Sequence, residues 1–274
     1  MRASRAVILA RGLGTRMRAA DPAVDLTPDQ HRAADAGLKP LIPVHGRPFL
    51  DYVLSGLADA GVTRIALVVA PDHQQLREYY ERDAPPSRVR VSFVVQNEPI
   101  GTADALLAAE AWTSGEPFLV MNADNIYPTG PLTELAALDE PGLLAFDRDD
   151  LIASGNIPRD RIAAFALLAV DDDGYLMEIV EKPAGGQMSA VSAPGTHALV
   201  SMNCWHFDAR IFAACRDVPR SVRGEFELPE AVGLAVRQGM KLRALRAPGP
   251  VLDLSRRADA ASLASHLADM VPRP

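Results

Sequence analysis

Between residues 5 and 122 the chain alternates short β-branched runs with stretches of helix length, and this alternation limits the fold more than any other feature. The runs RAVILA, VTRIALVVA, RVRVSFVVQ and PFLVMNA are almost continuously apolar, and PFLDYVLSGLADAG, PDHQQLREYYERD and GTADALLAAEAW lie among them. A strand that alternates apolar and polar residues keeps one face wet, whereas a continuously apolar strand is covered on both faces. The pattern predicts a doubly wound, mostly parallel sheet of the α/β class, because right-handed crossovers place helices on either side. Ligands of such sheets bind beyond the carboxyl ends of the strands.

After residue 140 the pattern loosens. The segment RIAAFALLAVDDDGYLMEIVEKP predicts an antiparallel hairpin turning at Asp173-Gly174, and HALVSMNCWHF predicts another strand. Helical sequence returns in DARIFAACRDV, FELPEAVGLAVRQGM and SRRADAASLASHLADMV. A polar, alanine-rich insert over 17–38 carries a helix start at Thr27-Pro28 and a stop at Gly37. It reads as either a lid beside the first loop or a solvated excursion. The whole, 1–274, is expected to be one domain.

Composition narrows the chemistry. A net charge of −7 argues against non-specific nucleic-acid binding, which needs many cations to neutralise phosphates. No apolar run approaches the ~18 residues of a membrane span, and the N-terminus enters strand-like sequence without a signal-peptide pattern, so no membrane partner and a cytoplasmic location are expected. The two cysteines, Cys204 and Cys215, suit neither a disulfide framework nor a short-spaced metal cluster and read as core residues. Of 28 basic residues only Lys39, Lys182 and Lys241 are lysines. Where arginine serves as the general cation, a lysine asks for a reason, since its compact ammonium does a different job.

The first run ends in AVILARGLGTRMR, where glycines 12 and 14 are interleaved with arginines 11, 16 and 18. A buried strand that opens into glycines and arginines is suited to an anion. It is not the dinucleotide fingerprint, because Met17 stands where the third glycine belongs, and no Gly-Lys-Ser/Thr follows to make a P-loop. Downstream, Asp124 ends the apolar strand FLVM and Asp253 sits between Leu252 and Leu254, both awkward places for a surface acid. An N-cap role near Ser255 is the plain alternative for Asp253.

With these segments in hand, the chain resembles the sugar-phosphate nucleotidyltransferases, closest in motifs to the glucose-1-phosphate thymidylyl- and uridylyltransferases. LARGLGTRM looks like the family's glycine loop, KPLIPVHGRPFLDYVL its lysine segment, QNEPIGTADALLAA its base-reading turn and FLVMNADNIY its metal-aspartate strand. EIVEKP resembles the sugar-site segment, RGEFELPEAV the Arg-Gly-Glu segment and VLDL the second metal aspartate, so that seven motifs stand in the family's order.

The resemblance implies a Rossmann-like nucleotidyltransferase fold with an antiparallel sugar-binding subregion and no C-terminal β-helix domain. It divides the chain into a nucleotide-binding half, 1–125, and a sugar-phosphate-binding half, 126–274. The implied nucleotide site comprises Leu9, Ala10, Arg11, Gly12, Gly14, Thr15, Gln96, Gly101 and Thr102. Arg16, Lys39 and Asp124 are the implied catalytic residues, with Arg16 clamping the β- and γ-phosphates and Lys39 neutralising charge near the reacting ones. Asp124 and Asp253 would hold Mg2+, which takes one or two carboxylates and leaves its other positions to water and phosphate. Asn122, Glu181, Lys182, Ser201, Asn203 and Arg223 are implied for the sugar phosphate.

The implied reaction joins a nucleoside triphosphate to a sugar-1-phosphate and releases pyrophosphate, with UTP or dTTP as the expected nucleotide. Gln96 and Gly101 resemble the pair that reads thymine or uracil, while GTADA and SMN resemble adenylyltransferases, so ADP- or GDP-sugar formation stays open. A catalytically silent sugar-nucleotide-binding regulator is the alternative of another class. A homo-oligomer is compatible with the sequence. Arg11 stands where the family has glycine or alanine, and it either stacks on the base, reaches a phosphate or narrows the pocket.

Overall fold

The structure is a computed structural model that describes residues 2–12, 14–19, 21, 24–162, 165–180 and 197–274. Strand Arg5–Leu9 is flanked by Arg64–Val69 on one side and Phe118–Asn122 on the other, all parallel, with Arg90–Val95 beyond Arg64–Val69. The order reverses direction at Arg5–Leu9, which makes the crevice between its carboxyl end and that of Phe118–Asn122 the switch point of the sheet. Neighbouring residues of one strand feed different cores. Ala6 and Ile8 join one apolar cluster and Val7 the other, as do Leu119 and Met121 against Phe118 and Val120. Covering on both faces is why these runs lack polar alternation.

The second half is mostly antiparallel, and the expected hairpin is present. Leu167–Val170 and Leu176–Val180 form the hairpin, whose turn closes through Gly174 donating to the Asp171 carbonyl at 3.0 Å. His197–Phe207 is the long strand that joins the halves, pairing antiparallel with Phe118–Asn122, Leu167–Val170 and Gly142–Phe146. Two strands were not legible in the pattern: Gly142–Phe146, and Arg243–Ala247, which pairs parallel with it. GLLAF is short and lacks β-branched residues, and RALRA is basic along its exposed positions, so neither carries a strand signature of its own. Both cysteines are free and buried. Among the described residues no helix is long and apolar enough to cross a membrane.

The insert forms the expected helix, Pro28–Asp35, opened by a capping box in which Thr27 accepts from the Gln30 amide and Gln30 accepts from that of Thr27. It is tied down from the far end of the chain. Arg257, only 5% exposed, donates to the carbonyls of Met17 at 2.9 Å, Ala19 at 3.0 Å and Arg18 at 3.2 Å, and pairs with Asp35. The glycine loop packs on the same insert: Gly14 has φ +63°, and a Cβ there would lie 2.5 Å from the Gly37 carbonyl oxygen. Gly12 has open space around it.

The two glycines should therefore respond differently. Gly14→Ala combines a left-handed backbone with a clash against backbone, and should lose ~2–4 kcal/mol, about 5–10 °C in Tm. Gly12→Ala should unfold within about 2 °C of the parent, because a surface change that meets no strain stays within ~0.5 kcal/mol. Thermal unfolding followed by circular dichroism checks the contrast, and equal losses would contradict it.

Candidate active site

Two cavities open at the switch point. The first, about 390 Å³, is lined by every residue expected at the nucleotide site except Gly14, whose part is to pack the loop against Gly37. The second, about 310 Å³, is lined among others by Arg16, Arg161, Ser201, Asn203, Arg223 and Asp253. Leu9, Lys39, Thr102, Asn122 and Asp124 line both and so stand at their junction. Arg16, expected to clamp the triphosphate, faces the second cavity only. Glu181 and Lys182 lie outside the described residues.

The junction is built around two aspartates. Asp124 follows strand Phe118–Asn122, and its Oδ2 accepts from Lys39 Nζ at 2.9 Å. Lys39 enters on the short 3-10 turn Lys39–Leu41 that follows the insert. Asp253 is brought alongside by a two-residue ribbon in which Leu252–Asp253 pairs with Asn125–Ile126, and Leu254 N–H donates to the Asp124 carbonyl at 2.9 Å. Asn156 fixes the Asp253 main chain from both sides: its side-chain oxygen accepts from Asp253 N–H, and its amide donates to the Asp253 carbonyl, both at 2.8 Å. Asp253 caps no helix, since the helix Arg257–His266 is capped through Arg256 and Asp259.

Asp253 is only 4% exposed. Its Oδ2 accepts from Asn125 Nδ2 and Ser255 Oγ, each at 3.1 Å, and its Oδ1 stands 2.9 Å from a guanidinium nitrogen of Arg161 in an ion contact not aligned as a hydrogen bond. Burial, then the charge of Asp124, push its pKa up to about 6, against the pull of Arg161. Arg161 is itself nearly buried and shared with Asp259, which it meets through both carboxylate oxygens.

On the second cavity's far wall, the strand His197–Phe207 breaks register between Ser201 and Trp205. Asn203 sits in that break at φ +58°, a left-handed conformation that asparagine tolerates better than most residues. Its N–H donates to Ser201 Oγ at 3.2 Å, and its Oδ1 is buried with no partner among the described residues. Bulges of this kind re-aim side chains beside active sites. Tyr127 braces this one by donating to the Met202 carbonyl at 2.5 Å. Arg223 is exposed at the cavity edge and bonded to Glu227.

On the first cavity's wall, Arg11 turns out to bind the chain itself. Its Nε donates to the Gln96 carbonyl and a terminal nitrogen to the Asn97 carbonyl, each at 3.1 Å. The sequence did not reveal Arg161 or Asn156. Both act across roughly a hundred residues, from a segment with no motif, in a chain where arginine is common everywhere.

With this geometry in view, the comparisons with known proteins are decisive for the family. The model of the nucleotidyl transferase family matches residues 5–249. The chain belongs to the nucleotidyl transferase family. Its curated relatives include the UTP--glucose-1-phosphate uridylyltransferase AglF of Haloferax volcanii, 28% identical over 91% of this chain and 90% of the relative. A glucose-1-phosphate thymidylyltransferase of Streptomyces antibioticus is 26% identical over 98% of this chain and 68% of the relative. The chain spans only 55–57% of several other relatives it matches, among them bifunctional GlmU proteins. A UTP-bound UGPase from Acinetobacter baumannii shares the fold, with a TM-score of 0.73 at 19% identity over 100% of this chain and 95% of that one.

The raised carboxyl of Asp253 gives this family member a testable pH response. A folded pKa above the unfolded value of ~3.9 means the proton binds more tightly in the folded state, so the associated stability is full below about pH 4 and lost as pH rises through about 6. Asp253→Asn cannot titrate there. In EDTA, the stability of the parent relative to Asp253→Asn should fall between pH 4 and pH 7 in urea unfolding, and a difference that stays flat or rises would contradict the environment assigned to Asp253.

Proposed function

We propose that the protein transfers a nucleotidyl group from UTP or dTTP to a sugar-1-phosphate, giving a nucleoside-diphosphate sugar and pyrophosphate. The observation that carries this reading is the Lys39–Asp124 pair at the shared wall of two cavities, one bounded by the glycine loop and Gln96, the other by Ser201, Asn203 and Arg223. The names of the uridylyl- and thymidylyltransferase relatives support the same substrates. An oxygen of the sugar phosphate bonds to the α-phosphorus while the α–β anhydride bond breaks, and pyrophosphate leaves with that electron pair.

Both reactants are anions, so the barrier is lowered by positioning and by opposing charge. Lys39, held in place by Asp124, presents an ammonium where the two phosphates meet. Arg16 and Arg223 supply cations along the second cavity, and the half 126–274 holds the sugar phosphate, with Glu181 and Lys182 contributing as the family resemblance implies. Ser201 and the Oδ1 of Asn203, unpartnered among the described residues, offer polar contacts to sugar hydroxyls. Gln96 and Gly101 face the base from the first cavity.

The donor set at the junction fits a divalent cation. Asp124 and Asp253 are close enough that the charge of one raises the pKa of the other, a repulsion that such an ion relieves. Mg2+ held by these two carboxylates would neutralise phosphate oxygens and orient them, with its remaining positions filled by water and phosphate.

The test is a matrix of five nucleoside triphosphates against common sugar-1-phosphates with pyrophosphate release as readout. UTP and dTTP should be used within roughly tenfold of each other, because one methyl group contributes about 1 kcal/mol. EDTA should abolish turnover, and Asp124→Ala should reduce kcat by roughly a hundredfold or more without loss of folding. Pyrophosphate release undiminished in EDTA or in Asp124→Ala would defeat the metal assignment. A protein that binds a UDP-sugar yet releases no pyrophosphate from any pair would be the silent regulator instead.

A further inference from the structure

Gln96, on the wall of the first cavity, has both its main chain and its side chain fixed by hydrogen bonds. Its residue is 3% exposed. Its N–H donates to the Val69 carbonyl at 3.0 Å, its carbonyl accepts from Arg11, and its Nε2 donates to the Gly101 carbonyl at 3.0 Å and to Asp104 Oδ2 at 2.8 Å. Both amide hydrogens are thus committed inside the protein. Both partners are oxygens that accept only, so the carboxamide cannot turn over without setting its own oxygen against theirs. Its Oε1 accepts no hydrogen bond from a described residue and is not among the sealed-off side-chain atoms.

We infer that Asp104 is a positioning residue that locks the Gln96 carboxamide with its carbonyl oxygen, rather than its amine, toward the base, so that the site selects a base carrying an N–H at ring position 3. The inference rests on the nucleotidyl-transfer reading only for the presence of a nucleotide in the first cavity. A free glutamine presents a donor and an acceptor and pairs with uracil or cytosine by turning its amide over. This one presents an acceptor alone. Uracil and thymine meet it with N3–H. Cytosine seated in the same way brings the lone pair of N3 against it, and two buried acceptors face each other unpaired. The Gly101 N–H, which donates to no protein acceptor in the described residues, lies on the same turn and is available to a neighbouring base carbonyl.

Asp104 stands in the first turn of the helix Thr102–Ala108, where an acid also favours the helix dipole. A role confined to the helix would weaken all nucleotides alike. Selection through Gln96 changes their ratio, and that difference is the readout.

The experiment is calorimetric titration of the protein with UTP, CTP and 3-methyl-UTP, with no sugar phosphate present. The parent should bind UTP at least roughly tenfold more tightly than either of the others, the scale of one unpaired buried polar contact. Asp104→Leu removes one of the two acceptors, leaves only the Gly101 carbonyl to oppose turning over, and should shrink the UTP-to-CTP ratio by roughly fivefold or more while leaving 3-methyl-UTP weak. Asp104→Ala removes the same acceptor with a smaller side chain and should shrink the ratio likewise, so that it serves where the leucine variant folds poorly, while Asp104→Asn keeps an accepting oxygen and should keep the parent's ratio. Equal binding of UTP and 3-methyl-UTP by the parent, preference for CTP, or a ratio unchanged in a folded Asp104→Leu would overturn the inference. Tight, selective UTP binding without pyrophosphate release would uphold it and defeat the catalytic reading instead.

Discussion

Two carboxylates that repel each other at the carboxyl end of a buried strand are the constraint around which this molecule is arranged. Asp124 and Asp253 are separated by nearly half the chain, yet a two-residue ribbon and the bond from Leu254 to the Asp124 carbonyl set them together. A charge taken from water needs partners nearby. Lys39 serves Asp124, and Asn125, Ser255 and Arg161 serve Asp253. What these leave uncompensated shows in the carboxyl of Asp253, still raised to about 6.

The parallel half was legible because its strands are covered on both faces, which removes polar residues from them and leaves a signal that a short window of sequence carries. The residues just past such strands inherit the same clarity. Leu9 to Gly12, Gln96 and Asn122 to Asp124 all lie where an apolar run stops, and all reach the cavities. Gly142–Phe146 and Arg243–Ala247 were not legible, since one lacks β-branched residues and the other borrows its strand geometry from the first. Arg16 shows a subtler limit. Its place in the loop was clear, but which cavity it faces depends on the turn Thr15–Arg18 and on the insert packed behind it.

Long-range polar contacts were the part that no local pattern carries. Arg257 binds three carbonyls around the start of the insert from across some 240 residues, and nothing in SRRADA distinguishes it from Arg256. The consequence is mechanical. The insert and the glycine loop that packs on it are tied to the helix that follows Asp253, so the first loop and the second aspartate belong to one connected body.

Arg11 illustrates how such a body divides its charges. Placed in an anion-binding loop, it looks at first like a phosphate ligand, yet its Nε and one terminal nitrogen go to the carbonyls of Gln96 and Asn97, and its other terminal nitrogen is buried without a partner among the described residues. That use joins the carboxyl end of Arg5–Leu9 to that of Arg90–Val95 and removes freedom from the main chain on either side of Gln96. Ordering a side chain and its backbone before a ligand arrives lowers the entropy lost on binding. Arg16, Arg161 and Arg223 lie along the second cavity instead, with Lys39, Asp124 and Asp253. Two of the three guanidinium nitrogens of Arg11 thus hold shape, on the wall of the first cavity that carries Gln96, while the other arginines of the site line the second.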